Sequence, residues 1–182
     1  MFELRATPIA GCHEIRPRLA DDARGRFVKV FHRPAFEALG LRADFVEDYY
    51  SVSRRGVLRG LHFQAPPADH AKLVYCPEGA VFDVVLDLRR GSPTYGRAQG
   101  FHLGAAHGHL LHLEPGLAHG FYVLSERAVM VYKTTAVHAP AQDGGVLWSS
   151  VDVDWPLVGG EPVVSARDQS FPALRDFSSP FP

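Results

Sequence analysis

The side chains of this 182-residue chain best suited to chemistry are Arg59, His62 and Gln64, followed by Lys72, His119 and Tyr132. The run Arg59-Gly60-Leu61-His62-Phe63-Gln64, entered from Ser53-Arg54-Arg55-Gly56, reads as a strand that follows a tight turn. Pro115-Gly116-Leu117-Ala118-His119-Gly120-Phe121 supplies a second histidine from a later strand. Strict alternation puts Arg59, Leu61 and Phe63 on one face of the first strand and Gly60, His62 and Gln64 on the other. Two imidazoles facing each other on barrel walls suit either a metal ion or proton chemistry.

A metal site in a barrel of this kind commonly uses a His-x-His pair, a carboxylate and a later histidine. Here the pair position reads His62-Phe63-Gln64, and the residue ten positions on is Lys72, a cation where a carboxylate would help. Two histidines beside an ammonium make a poor cation site. A second cluster, His107, His109 and His112, has the wrong parity to converge on a strand and reads as surface or turn histidines. The sequence therefore predicts no bound metal.

Proton chemistry fits better. A neutral imidazole is a base near pH 7. Lysine and a second histidine stabilise charge developing on a carbonyl oxygen, and a tyrosine can return a proton from the opposite side. His62, His119, Lys72, Arg59 and Tyr132 together suit proton abstraction α to a ketone and reprotonation on the other face, which is epimerisation. Each alone reads equally as a core residue.

The elements that must position these groups are short strands. Seventeen Gly and fourteen Pro punctuate the chain. Ala80 to Leu88 alternates, with Ala80, Phe82, Val84, Leu86 and Leu88 on one face and Val81, Asp83, Val85 and Asp87 on the other. Ala98 to Leu103, Leu110 to Leu113, Gly120 to Leu124 and Ala128 to Thr135 are further strand-like runs, separated by Gly, Pro and Ser turns. Helix is expected only over Pro34 to Leu41 and around Pro172 to Phe177. The pattern predicts an all-β jelly roll with a strand-rich N-terminal extension, as one domain over residues 1–182. Nineteen basic and twenty acidic residues nearly cancel, which gives no electrostatic support for nucleic-acid or membrane-surface binding. Cys12 and Cys76 are too few for a disulfide framework, and neither a signal peptide nor a membrane-length apolar run is present. A cytoplasmic location is expected.

Several motifs in one order carry a resemblance. Gly56-Val57-Leu58-Arg59-Gly60-Leu61-His62-Phe63-Gln64, Lys72-Leu73-Val74, Asp83-Val84, Asp87-Leu88-Arg89, Pro115 to Phe121, Tyr132-Lys133 and Ser165-Ala166-Arg167-Asp168 closely resemble the dTDP-4-dehydrorhamnose 3,5-epimerase family. Asp22 to Phe27 and Trp148 fit as well, so nearly the whole chain is covered. The resemblance implies a cupin-like double-stranded β-helix, and a homodimer whose N-terminal strands cross to the partner. It implies a metal-free and cofactor-free isomerase acting on a nucleotide-linked 4-keto-6-deoxyhexose in deoxysugar and polysaccharide biosynthesis. By the same resemblance His62 is the base, Asp168 orients it, and Tyr132 is the acid. Lys72 and His119 surround the 4-keto oxygen and sugar hydroxyls, with Asp83 behind them. Arg59 and Arg24 contact the diphosphate, and Asp143 and Arg167 belong to the substrate contacts.

The departures cluster where the family grips the nucleobase. Lys29 stands where an acidic residue is usual, Glu47-Asp48-Tyr49 where Gln-Asp-Asn is usual, His138 where an aromatic stacks on thymine, and Arg167 where lysine is usual. Cytosine offers an acceptor beside an amino donor, which Lys29 and Glu47 would match if both reached the base edge. A CDP-linked sugar is therefore an expected substrate beside the dTDP one. Epimerisation at C3, C5 or both stays open. A 3,4-ketoisomerase remains an alternative, disfavoured by Gln64, as does a non-catalytic sugar-nucleotide-binding module.

Overall fold

The computed structural model describes all residues, 1–182. Thirteen strands run β1 (Phe2–Ala6), β2 (Cys12–Pro17), β3 (Leu19–Asp22), β4 (Gly25–Val28), β5 (Glu47–Arg54), β6 (Leu58–Gln64), β7 (Lys72–Glu78), β8 (Ala80–Asp87), β9 (Ala98–Gly104), β10 (Leu110–Leu113), β11 (Leu117–Val123), β12 (Arg127–Thr134) and β13 (Asp143–Gly145). The two α-helices are short, α1 (Arg33–Ala38) and α2 (Ala166–Gln169), and 3₁₀ turns cover Trp148–Ser150 and Leu174–Asp176. No helix is long and apolar enough to cross a membrane.

The strands form a six-stranded sheet in the order β1-β2-β10-β7-β12-β5, a five-stranded sheet in the order β13-β6-β11-β8-β9, and the separate hairpin β3-β4. All named pairings are antiparallel. This is the jelly roll that the turn-punctuated pattern predicts. The long runs land where expected, with β10 matching Leu110 to Leu113 and the others differing by a few residues at their ends.

Three apolar layers hold the barrel. Between the sheets, Cys12, Val74, Val81, Val85, Leu111, Phe121, Met130 and Tyr132 form the interior. The opposite face of the five-stranded sheet carries Leu61, Phe63, Val84 and Leu86 and is covered by the C-terminal segment through Val146, Val151 and Phe181. Both faces of β8 are thus apolar-packed, and the face bearing Asp83 turns inward with Val81 and Val85. The outer face of the six-stranded sheet is capped by α1, whose Phe36 is buried against Ile15, Leu73 and Leu110. Proline in its first turn fits α1, because that position needs no intrahelical N–H. The helix stops at Ala38 rather than Leu41, and the expected helix over Pro172 to Phe177 is only a 3₁₀ turn.

Candidate active site

Alternation fails at one place in β6, and that failure assembles the site. β11 pairs with β6 through His119↔His62 and Phe121↔Arg59, so two steps on β11 oppose three on β6. This bulge brings Arg59 and His62 to the same inner face, where strict alternation separates them. Close approach of the two backbones makes it possible. A Cβ on Gly120 would lie 2.7 Å from the Arg59 carbonyl, and one on Gly60 would lie 2.9 Å from the His119 carbonyl. Gly60 also has φ of +126°, a conformation that side chains rarely adopt.

The bottom of the site is an inner cavity of about 210 Å³ lined by Tyr49, Ser51, Arg59, His62, Lys72, His119 and Tyr132, among others. His62 Nε2 lies 2.8 Å from Asp168 Oδ1. Asp168 comes from the far end of the chain on α2, whose N-cap Ser165 accepts its backbone N–H at 3.1 Å. Its other oxygen accepts the Gly60 N–H at 3.0 Å. Burial works against the charged carboxylate, but hydrogen bonds from His62 and Gly60 outweigh it and hold the group below its ordinary range. An ionised carboxylate only accepts, so His62 Nε2 carries the hydrogen, and in the neutral imidazole Nδ1 keeps the lone pair. No protein atom bonds to Nδ1.

His119 makes a second such pair, with Nε2 at 2.7 Å from Asp83 Oδ2. Its carboxylate is sealed in the core while His119 edges the inner cavity, and Asp83 Oδ1 has no partner. Burial pushes the Asp83 carboxyl up, against the pull of His119 and Lys72. Lys72 Nζ donates to the His62 carbonyl at 3.1 Å, its one protein acceptor. Burial draws its ammonium down to about 8, while Asp143 and Asp83 resist. Arg59 Nε donates to Ser53 Oγ at 2.9 Å and the guanidinium has no carboxylate partner. Tyr132 stands on β12, and burial pushes its phenol well above the ordinary value.

An outer cavity of about 340 Å³ shares Tyr49, His62 and Lys72 with the inner one and adds Glu47, Gln64, His70, His138, Asp143 and Arg167. Arg167 pairs with Asp143 at 2.7 Å and lies over the Phe171 ring, which packs edge-on against His62. His138 Nε2 is 3.4 Å from the same Asp143 oxygen. Glu47 Oε2 accepts the His138 backbone N–H at 2.7 Å, so it ties a loop down. Gln64 does likewise, donating to the Ala68 carbonyl at 2.9 Å and accepting the Ala139 N–H at 2.7 Å.

Most of the residues expected from the sequence are therefore brought together, and two are not. Arg24 sits on the β3-β4 hairpin with 90% of its side chain exposed, paired with Asp22. Lys29 lines a separate hollow with Met1, Arg18, Ala20 and Phe27. The hairpin pairs only with itself and is tied by Arg26 to the Ala105 and Ala106 carbonyls, so within one chain Lys29 and Glu47 line different hollows rather than the shared one that the nucleobase reading requires. The histidine cluster also differs from expectation. His107 and His109 lie side by side with ring centroids 4.3 Å apart and planes tilted by 37°, but His112 is fully buried and bonds the Arg42 carbonyl at 3.0 Å, so it is a core residue rather than a surface one. No group of three or more His, Cys, Asp or Glu is arranged to hold a metal ion.

Sequence reasoning overlooked His70 and Ser51. His70 lines the outer cavity, its Nε2 has no partner, and burial together with Lys72 draws it down to about 4. Two-residue periodicity was the available signal: His70 with Lys72, and Ser51 with Tyr49 and Ser53, share faces.

Residues 6–176 match the family model described as dTDP-4-dehydrorhamnose 3,5-epimerase. The chain is 44% identical over 163 residues to the dTDP-4-dehydrorhamnose 3,5-epimerase of Pseudomonas aeruginosa, covering 88% of this chain and 89% of that one. It is 42% identical over 171 residues to a dTDP-4-dehydrorhamnose 3-epimerase of Streptomyces niveus, covering 92% and 82%. The crystal structure of a dTDP-6-deoxy-D-glucose-3,5-epimerase from Legionella pneumophila in complex with dTDP-4-keto-L-rhamnose superposes with a TM-score of 0.94 at 35% identity, covering 100% and 98%.

Proposed function

The chain belongs to the dTDP-4-dehydrorhamnose 3,5-epimerase family, and on that premise we propose how its site inverts a nucleotide-linked 4-keto-6-deoxyhexose. It is an isomerase of deoxysugar biosynthesis, an epimerase that acts at carbons next to a ketone. His62 takes the proton. With Asp168 holding Nε2–H, the free Nδ1 is the basic atom, and the ionised carboxylate supports the imidazolium that forms. Lys72 and His119 stabilise the enolate oxygen that develops at C4, with Asp83 orienting His119. Tyr132 returns a proton to the opposite face. Arg59 takes the diphosphate, because its fork donates in paired geometry and no carboxylate occupies it.

The outer cavity takes the nucleoside, with Tyr49, His138, Asp143 and Arg167 at its wall and Glu47 fixing the loop that carries His138. Arg24 and Lys29 reach a site only through a second copy. On the reading that both serve the site, the protein is a homodimer with exchanged N-terminal strands. Support comes from the hairpin, which carries Arg24 and leaves Phe27 66% exposed. Light scattering at twice the chain mass is the expected outcome, and a monomer that is fully active overturns it. Two buried free thiols fit a reducing, cytoplasmic compartment.

The carrying observation is the His62–Asp168 pair opening onto a cavity that also holds Lys72, His119 and Tyr132. The test is deuterium wash-in at C3 and C5, with product analysis, across dTDP-, CDP-, UDP- and GDP-linked 4-keto-6-deoxyhexoses. Exchange at C3, C5 or both, with an inverted product, is expected. Exchange at neither carbon in any substrate overturns the reading. A clear kcat/KM preference for dTDP over CDP removes the cytosine reading of Lys29 and Glu47.

A further inference from the structure

Tyr49 and Tyr132 are direct cross-strand partners on β5 and β12, and their rings stack with centroids 4.8 Å apart and planes 14° from parallel. The Tyr132 hydroxyl is poorly anchored by comparison. Its one hydrogen-bond partner in the protein is Ser51 Oγ, at 3.5 Å, the far limit of a hydrogen bond. The ring is held instead, by Tyr49 on one face and by the edge of His119 at 6.0 Å. Tyr49 lies on the last strand of its sheet, is 44% exposed, and lines both cavities where they meet.

We propose that Tyr49 is a positioning residue for proton return: its ring clamps Tyr132 so that the hydroxyl points at the carbon opposite His62. This rests on the reading of Tyr132 as the acid. In the step concerned, the Tyr132 O–H bond breaks and a C–H bond forms to the enolate carbon. The enolate electron pair makes that bond, the C4 carbonyl re-forms, and the phenolate is reprotonated from solvent. The donor must sit within hydrogen-bond reach of the carbon, and a misplacement of about 1 Å costs on the order of 10²-fold. A hydroxyl without a firm hydrogen bond gets its position from its ring, so a clamp on the ring sets the geometry of delivery. Abstraction by His62 precedes this step and does not use the Tyr49–Tyr132 stack.

The test measures the ratio of net inversion to deuterium exchange at the same carbon. Both arise from the same bound complex, so weaker substrate binding cancels. Tyr49→Ala and Tyr49→Leu are expected to lower that ratio about tenfold. Tyr49→Phe, which keeps the stack, is expected to stay within about twofold of the natural protein. Two ring-less variants guard against one folding poorly, and a half-exposed edge position tolerates both. An unchanged ratio in the ring-less variants overturns the proposal while leaving epimerisation intact. An equal fall in Tyr49→Phe overturns it too, since the hydroxyl and not the stack would then act. A natural protein that exchanges yet inverts equally well as Tyr132→Phe removes the acid, and the clamp with it. Absence of exchange in the natural protein overturns the functional reading itself.

Discussion

His62–Asp168 and His119–Asp83 are the same chemical pair at nearly the same separation, 2.8 and 2.7 Å, on residues directly opposed between neighbouring strands. Their surroundings make them different. His62 is 31% exposed toward the cavities, and its carboxylate is multiply hydrogen-bonded and held ionised. His119 shows only an edge to the inner cavity, and its carboxylate is sealed and pushed toward the neutral form by burial. A base must reach substrate and be supported when it becomes charged, which only the first pair provides. The second pair suits fixing a polar group beside a developing oxyanion. Identical side chains thus take different tasks through solvent access and the count of hydrogen bonds to each carboxylate.

The sharpest way to break that comparison is to remove each imidazole. His62→Ala is expected to lower exchange by at least about 10³-fold, with His119→Ala losing less; the opposite ranking in a wash-in assay would exchange their roles. Asp168→Asn should cost about 10²-fold in kcat, because an amide neither fixes the Nε2–H tautomer nor supports the imidazolium. Activity should also fall as pH rises through about 8, where the Lys72 ammonium deprotonates. A kcat profile flat from pH 7 to about 9.5 would remove Lys72 from oxyanion stabilisation. The same shift has a stability signature of opposite sense. Between about 8 and the ordinary lysine value of 10.5 the unfolded chain binds a proton that the folded chain does not. Folding stability is therefore gained from Lys72 as pH rises through that window, measurable by denaturant titration. The smallest expected effect is Asp83→Asn, about tenfold or less in kcat with Tm little changed, since burial already disfavours its charge. A loss as large as that of Asp168→Asn would erase the distinction between the pairs.

Much of this was legible in the residues. Turn-punctuated short runs located the strands of a jelly roll, and the type and order of His62, Lys72, His119 and Tyr132 indicated proton abstraction next to a ketone. Parity put His62 and Gln64 on one face of β6, and both line the outer cavity. It failed for Arg59, because a bulge adds a residue that no alternation rule anticipates. It also left open which face of β8 is inner, since the C-terminal segment covers the other face and makes both sides apolar-packed. Asp168 was legible only through family resemblance, because it pairs with a histidine 106 positions away.

Local sequence therefore determined the chemical inventory and the strand pattern, which depend on residue type and on contacts close along the chain. Tertiary structure decided which groups share a cavity, which histidine is open to substrate, and that Arg24 and Lys29 stand apart from the site of their own chain. Those outcomes depend on one bulge, on the reach of α2 across to β6, and on the burial around each carboxylate. All three arise only when segments distant in sequence pack together.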